Sequence, residues 1–153
     1  MEADVLAMLL FTGHKDQNLD AKDRVVIPAN FRAVIEAQHE GCVYVVPDET
    51  ATFLEAYPQK VFEAMAATLV PNRFERGGQR DDKRVFFQSA ERLELKGPGR
   101  ITLPKKFAAY FPSGVVRVAG MNTYLELWDP SRWEAMRLQA VVDPVGGDAG
   151  TEG

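Results

Sequence analysis

Two short turns carry the residues of this chain best suited to chemistry outside its own core. The first reads Asn18-Leu-Asp20-Ala-Lys22-Asp23-Arg24, the second Glu94-Leu-Lys96-Gly-Pro98-Gly99-Arg100. Each ends on an arginine that starts an apolar strand. A guanidinium fork held in such a place can pair bidentately with guanine or with a phosphate. A carboxylate that opens a tight turn accepts backbone N–H groups, and a glycine that closes it takes positive φ. The first turn has Asp20 at the opening and Asp23 at the close, where aspartate tolerates left-handed φ better than most residues. The second has Gly99 at the close and Lys96 at the opening, and its Pro98-Gly99 pair suits the middle of a type II turn, so its geometry is expected to differ. Arg24 and Arg100 remain open to two readings, pairing with a nearby carboxylate that fixes the turn or contact with DNA. Asp20 is read as shaping its turn, because a carboxylate facing phosphate repels it. Lys22 and Lys96 are candidate phosphate partners.

The elements that position these turns come in duplicate. Arg24-Val-Val-Ile-Pro-Ala-Asn-Phe31 aligns with Arg100-Ile-Thr-Leu-Pro-Lys-Lys-Phe107, and Thr52-Phe-Leu-Glu-Ala-Tyr57 with Thr123-Tyr-Leu-Glu-Leu-Trp128. The offsets are 76 and 71, and Phe62-Glu-Ala-Met65 continues the match in Trp133-Glu-Ala-Met136. Each copy reads as a strand (Lys15 to Leu19, Arg92 to Leu95), the turn, a second strand (Arg24 to Ile27, Arg100 to Leu103) and a helix-opening proline. Phe31, Val34 and Ile35 then share one helical face, as do Phe107, Tyr110 and Phe111. Gly41 or Gly114 ends that helix, two apolar strands follow, and a last helix is expected to bury Phe62, Met65, Ala66 and Leu69, or Trp133, Met136 and Ala140. About 45 residues cannot close a core alone, so the two copies are expected to pair within the chain. The expected division is 10–69 for the first half, 70–84 for a polar connector, 85–142 for the second half and 143–153 for a disordered tail. Residues before Leu10 are read as a second frayed end.

Composition narrows the function without naming it. The 153 residues carry a formal net charge of −4, with a pI near 5.2, a mild argument against nucleic acid. The cations are unevenly spread, however. Between Arg73 and Lys106 ten Lys or Arg face five acids, and binding depends on where charge lies. Arg76, Arg80, Lys83 and Arg84 read as a solvated face or as contacts to a neighbouring subunit, and Lys105 and Lys106 as an exposed helix start. The apolar run Val5 to Phe11 is too short to span a bilayer and lacks the flanks of a secretory leader, so a cytoplasmic protein is expected. The single Cys42 excludes an internal disulfide and reads as a buried strand thiol. His14 and His39 have no ligands at metal spacing. Glu36 and Glu40 lie one helical turn apart, as ordinary surface acids do. No phosphate loop, dinucleotide fingerprint or nucleophile elbow is present, so no cofactor, metal, small-molecule substrate or catalytic activity is expected.

In the order and duplication of its motifs the chain resembles the MraZ family of transcriptional regulators, with two copies of the AbrB-type swapped-hairpin unit. The resemblance covers roughly residues 10–142. It rests on Phe11-x-Gly13, the Asn-Leu-Asp-x-Lys-x-Arg turn before Val-x-Ile-Pro, the second Gly-Arg-Ile-x-Leu-Pro, and Tyr-Leu-Glu-Leu-Trp-Asp. It implies an α+β fold, with two AbrB-like swapped-hairpin halves forming one compact β-barrel-like unit with flanking helices. The family's Asp-x-x-x-Arg turns touch DNA; Asp20 and Arg24 match in full, Arg100 matches, and Lys96 departs. The resemblance further implies a ring-shaped homo-oligomer that binds tandem repeats in double-stranded DNA upstream of its own cell-division and cell-wall genes, in the nucleoid. Repression is the expected outcome. Two rivals stand beside this reading: an interaction scaffold without DNA binding, and an antitoxin. The short glycine-rich tail and doubled unit disfavour the antitoxin.

Overall fold

The computed structural model describes residues 10–38 and 41–142. The expected tail at 143–153, the frayed end before Leu10, and the readings of His39 and Glu40 lie outside the described residues. Among the described residues there are eight strands and five helices. In the first half these are β1 (His14–Asn18), β2 (Arg24–Val26), α1 (Ala29–Ala37), β3 (Cys42–Pro47), β4 (Leu54–Pro58) and α2 (Gln59–Thr68). Then come α3 (Gln79–Ser89), β5 (Glu91–Glu94), β6 (Arg100–Thr102), α4 (Lys105–Ala108), β7 (Val115–Met121), β8 (Tyr124–Trp128) and α5 (Pro130–Val142). Prolines punctuate the copies as their chemistry requires. The fixed φ of Pro28 and Pro104 suits the residue before a helix, and the Pro28 carbonyl accepts the Arg32 N–H at 2.8 Å.

The two halves exchange strands. β1 of the first half pairs with β7 of the second, and β5 of the second pairs with β3 of the first. The registers correspond: Asn18 lies opposite Val115 as Glu94 lies opposite Cys42. β2 pairs with β6, and β4 with β8. The halves are therefore related by a pseudo-two-fold axis. It passes between Val25 and Ile101, opposed in the β2–β6 ribbon, and between Glu55 and Glu126, opposed in the sheet. One shared core results, in which Val25, Ile27, Phe31, Ile101, Leu103 and Phe107 from both copies are buried together.

The expected β-barrel-like unit does not close into a barrel. The six-stranded sheet runs β1-β7-β8-β4-β3-β5 and is open, with β1 and β5 at its edges, while β2 and β6 form a separate two-stranded ribbon. The reason lies in hydrogen-bond partners. The three-residue strands β2 and β6 spend their ladder on each other. Their inner side chains, Val25 and Ile101, plug the gap as fully buried residues.

Three other expectations are revised. The Phe107, Tyr110, Phe111 face does not lie on one helix, because α4 ends at Ala108. Pro112 disfavours helix at Phe111, and turn bonds from Phe111 N–H to Ala108 and from Gly114 N–H to Phe111 still tuck Phe111 into the core. In α2 only Phe62 is fully buried, with Met65, Ala66 and Leu69 half-buried. In α5, Trp133 is half-buried and Met136 and Ala140 are exposed, because no element among the described residues covers their side of the helix.

The axis carries a charge conflict that can be measured. Burial raises the carboxyl pKa of both Glu55 and Glu126 above the ordinary glutamate value, against the lowering effect of hydrogen bonds from Tyr57 Oη to Glu55 at 2.7 Å and from Trp128 Nε1 to Glu126 at 2.9 Å. Each is raised further by the nearby Asp48 charge, and the burial that does this also pushes Tyr124 up to about 12. A folded-state pKa above the unfolded value means that the folded protein holds the extra proton. The associated stability is present below the ordinary glutamate pKa and is lost as pH rises through the raised one. Glu126→Gln is accordingly expected to raise the melting temperature at pH 7 and to leave it little changed at pH 4, as read by thermal melts at both values.

Candidate nucleic-acid interface

The β2–β6 ribbon decides where the two arginines stand. Opposed residues of an antiparallel pair share a face, so Arg24, Val26, Arg100 and Thr102 line the outer face while Val25 and Ile101 face the core. Arg24 lies opposite Thr102, and Arg100 two residues further along that partner strand. This diagonal places their backbones about 7–8 Å apart. The two turns flank the ribbon at its opposite ends. Leu103 N–H donates to the Asp23 carbonyl at 2.8 Å and Ile27 N–H to the Gly99 carbonyl at 2.9 Å, which locks each turn to the other half of the chain.

The first turn is organised by one carboxylate. Asp20 Oδ1 accepts the backbone N–H groups of Lys22 and Arg24, both at 2.9 Å, and Oδ2 accepts Arg24 Nε at 2.7 Å. Asp23 N–H closes the turn on the Asp20 carbonyl at 3.0 Å, with Asp23 in the left-handed region at φ 61°. The backbone hydrogen bond from Arg24, aided by its side chain, holds the Asp20 carboxyl below the usual aspartate range. Asp20 therefore grips Arg24 by Nε, and among the described residues its two terminal amino groups have no acceptor. The Asp23 carboxylate, largely shielded, pairs with Lys105 Nζ at 2.7 Å, drawing the start of α4 to this turn.

The second turn solves the same problem without the aspartate. The Lys96 backbone carbonyl accepts Arg100 N–H at 2.8 Å and Gly99 N–H at 3.1 Å, so a main-chain oxygen replaces the missing carboxylate. The loop needs two left-handed residues, Gly97 at φ 56° and Gly99 at φ 89°. Its outer brace comes from α1. The Arg32 guanidinium donates to the Pro98 carbonyl, and its methylenes lie against Gly99, where a Cβ would sit 2.6 Å from Arg32 Cδ. Arg100 has no acidic partner among the described residues, and its guanidinium lies over Gly97.

The ribbon thus brings together all the turn residues expected from sequence: Arg24 and Arg100 on one face, exposed Lys22 and Lys96 on the flanking turns, and Asp20 and Gly99 within them. Lys105 stands beside the first turn, 88% exposed at its side chain. Lys106 instead pairs with Glu91 at 2.7 Å. Arg32 was not found from sequence. Its contact spans 66 positions, and residue 108 of the second copy is alanine, so the repeat gave no counterpart to point to it. The surface offers cationic hydrogen-bond donors on a fixed frame, which suits a polyanion. His14 packs at a tilt against Trp133 with ring centroids 4.8 Å apart, and among the described residues no cluster of three or more His, Cys, Asp or Glu is placed to hold a metal ion. Among the same residues no helix is long and apolar enough to cross a membrane.

Comparison with known proteins agrees with the duplication. The model of the MraZ protein family, which carries an antitoxin-like description, matches residues 10–85 and again 86–141. The transcriptional regulator MraZ of Shewanella oneidensis is 32% identical over 126 residues, 81% of this chain and 82% of that protein. The proteins of the same name from Shewanella sp. strain MR-7 and from Shewanella baltica strain OS155 match with the same identity and the same coverage.

Proposed function

The chain belongs to the MraZ family, and from that premise we propose that it is a transcriptional regulator that binds double-stranded DNA through the outer face of the β2–β6 ribbon. The observation that carries this reading is the pairing of Arg24 and Arg100 on one face, each set by its own turn and both locked to the same two strands. Arg24 and Arg100 are the principal DNA contacts, Lys22 and Lys96 the phosphate partners, and Asp20 and Gly99 the residues that fix the turns. Arg32 is a positioning residue for the second turn.

The exchanged ladders support an AbrB-type swapped-hairpin unit built from halves at 10–69 and 85–142 with a connector at 70–84. A single bidentate contact contributes only about 1–3 kcal/mol. Useful affinity therefore calls for several subunits on tandem repeats, and we assign the chain to a ring-shaped homo-oligomer that represses its own cell-division and cell-wall genes from the nucleoid.

The direct test is fluorescence anisotropy of the whole protein with a duplex from its own upstream region, against a scrambled duplex of equal length, across a salt series. Tighter binding to the upstream duplex with a steep fall in log affinity against log salt supports the reading. Equal affinity for both duplexes at every salt concentration sinks sequence-specific regulation and favours the scaffold.

A further inference from the structure

The six-stranded sheet separates two surfaces of the molecule. On its inner face, Val43 and Val45 of β3 share the main core with Val25 and Ile101 of the ribbon. On its outer face, Tyr44 and Val46 pack with Phe62 of α2 and with Phe86 and Phe87 of α3. Successive residues of β3 thus look in opposite directions, and α3 stands on the far side of the sheet from Arg24 and Arg100. With the connector that leads into it, α3 carries cations and an aromatic ring that duplex binding at the ribbon does not use.

The ring is Phe74, 73% exposed. Its loop is braced. Phe74 N–H donates to Asn72 Oδ1 at 2.8 Å, and Asn72 N–H donates to Glu75 Oε1 at 3.0 Å. The second oxygen of Glu75 pairs with Lys83 of α3, and both side chains are shielded. Gly77, left-handed at φ 68°, then turns the chain towards α3. Arg73 and Arg76 flank the ring in sequence, are exposed, and form no ion pair among the described residues.

A cleft of about 230 Å³ adjoins this loop, lined by Pro71, Arg80, Lys83, Arg84, Phe87 and Gln88. Arg80, Lys83 and Arg84 have the i, i+3, i+4 spacing of one helix face, and no carboxylate is in the lining. Arg80 Nη1 reaches the Arg73 carbonyl at 3.4 Å, which joins cleft and loop. Lys83 and Arg84 are already paired, with Glu75 and Asp81. Arg73, Arg76 and Arg80 are not, and they surround Phe74 within one short stretch of chain.

The cations alone would suit any polyanion, and the ring selects among them. Bases in a duplex are stacked on one another and offer an exposed side chain no free face. Bases of a single strand do offer one, and stacking on an aromatic ring serves every base. We propose that the loop from Arg73 to Arg80 and its adjoining cleft bind single-stranded nucleic acid, with a base stacked on Phe74 and neighbouring phosphates held by Arg73, Arg76 and Arg80. The contact lies across the sheet from the ribbon and does not depend on duplex binding there.

The test is fluorescence anisotropy of the full chain with labelled single strands of deoxythymidine or uridine, each of about twelve nucleotides, across a salt series. Phe74→Ala, at an exposed position, is expected to weaken single-strand binding by about fivefold to a hundredfold, with far-UV circular dichroism unchanged. Phe74→Trp is expected to restore it. Replacing Arg73, Arg76 and Arg80 together by glutamine should flatten the salt slope by about two. Arg24→Ala with Arg100→Ala should leave single-strand affinity unchanged, so failure of the ribbon reading is separable from failure of this one. A preference for the uridine strand assigns the site to RNA, and one for the thymidine strand to a displaced DNA strand. Wild-type affinity in Phe74→Ala overturns the proposal, as does loss of single-strand binding in the Arg24, Arg100 variant. Polyphosphate bound as tightly as the oligonucleotides would reduce the face to an unselective anion patch. Polyglutamate bound in preference to them, with the same dependence on Phe74, would assign it to an acidic protein segment instead.

Discussion

Replacing Arg24 and Arg100 together by alanine is expected to weaken binding to the upstream duplex at least about thirtyfold per engaged subunit. The figure follows from two contacts of about 1–3 kcal/mol each, with 1.4 kcal/mol per factor of ten. The salt slope should flatten by about two per subunit, since each phosphate or base-edge cation removed takes its share of counterion release with it. The two single variants should not be equal. Arg24 is gripped at Nε by Asp20 at 2.7 Å, so Arg24→Ala removes a DNA contact and also leaves the Asp20 carboxylate without its cation on the DNA-binding face. Arg100 has no such partner among the described residues, and Arg100→Ala removes a contact alone. Arg24→Ala should therefore cost more than Arg100→Ala, and adding Asp20→Asn to Arg24→Ala should restore part of the loss. Arg24→Lys should keep most of the salt slope but reduce preference for the upstream duplex, because an ammonium cannot pair with Asp20 and still present a planar fork. Anisotropy titrations of these five proteins decide the matter. If the double variant binds like wild type, or weakens only on scrambled DNA, the ribbon is not the reading surface.

What the sequence reveals and what it hides here have separate physical causes. The aligned blocks from Arg24 and Arg100 predict β2 and β6, and the left-handed backbone at Asp23 follows from a turn that must close where no glycine stands. These are local matters of turn chemistry and strand period, and they are written in consecutive residues. The open sheet is not local. Whether β2 pairs with β1 or with β6 depends on which strand supplies its hydrogen-bond partners, and the apolar pattern Val-Val-Ile fits either. The exposed face of α5 is hidden for a related reason. Trp133, Met136 and Ala140 have the spacing of a buried face, but burial requires a covering element, and α3 covers only the other copy. The latch from Arg32 to Pro98 joins residues 66 apart and breaks the repeat's symmetry, so neither spacing nor alignment points to it. The pattern of hits and misses is thus one of range: turns are legible, and partners across the pseudo-axis are not.

Ile101→Ala is expected to lower stability by about 2–5 kcal/mol, the range for removing a large aliphatic side chain from a packed interior. Ile101 is fully buried opposite Val25, on the pseudo-axis where the ribbon plugs the open side of the sheet. The site is poorly placed to collapse around a cavity, because both neighbouring turns are fixed to the ribbon by Ile27 N–H to Gly99 and Leu103 N–H to Asp23. For a chain of this size each kcal/mol moves the melting temperature by about 2–4 °C, so a fall of roughly 4–20 °C should appear in a thermal melt. Leu125→Ala, also fully buried but in the six-stranded sheet at β8, is a control of similar cost. The two should part on function. Measured well below both melting temperatures, Ile101→Ala should also weaken DNA binding and speed hydrogen exchange at the Ile27 and Leu103 amides, because it loosens the frame that sets the distance between Arg24 and Arg100. Leu125→Ala should leave DNA affinity near wild type. Equal DNA affinity in the two variants would mean that the ribbon's rigidity does not matter to binding, and that the arginines act as independent flexible cations instead of a spaced pair.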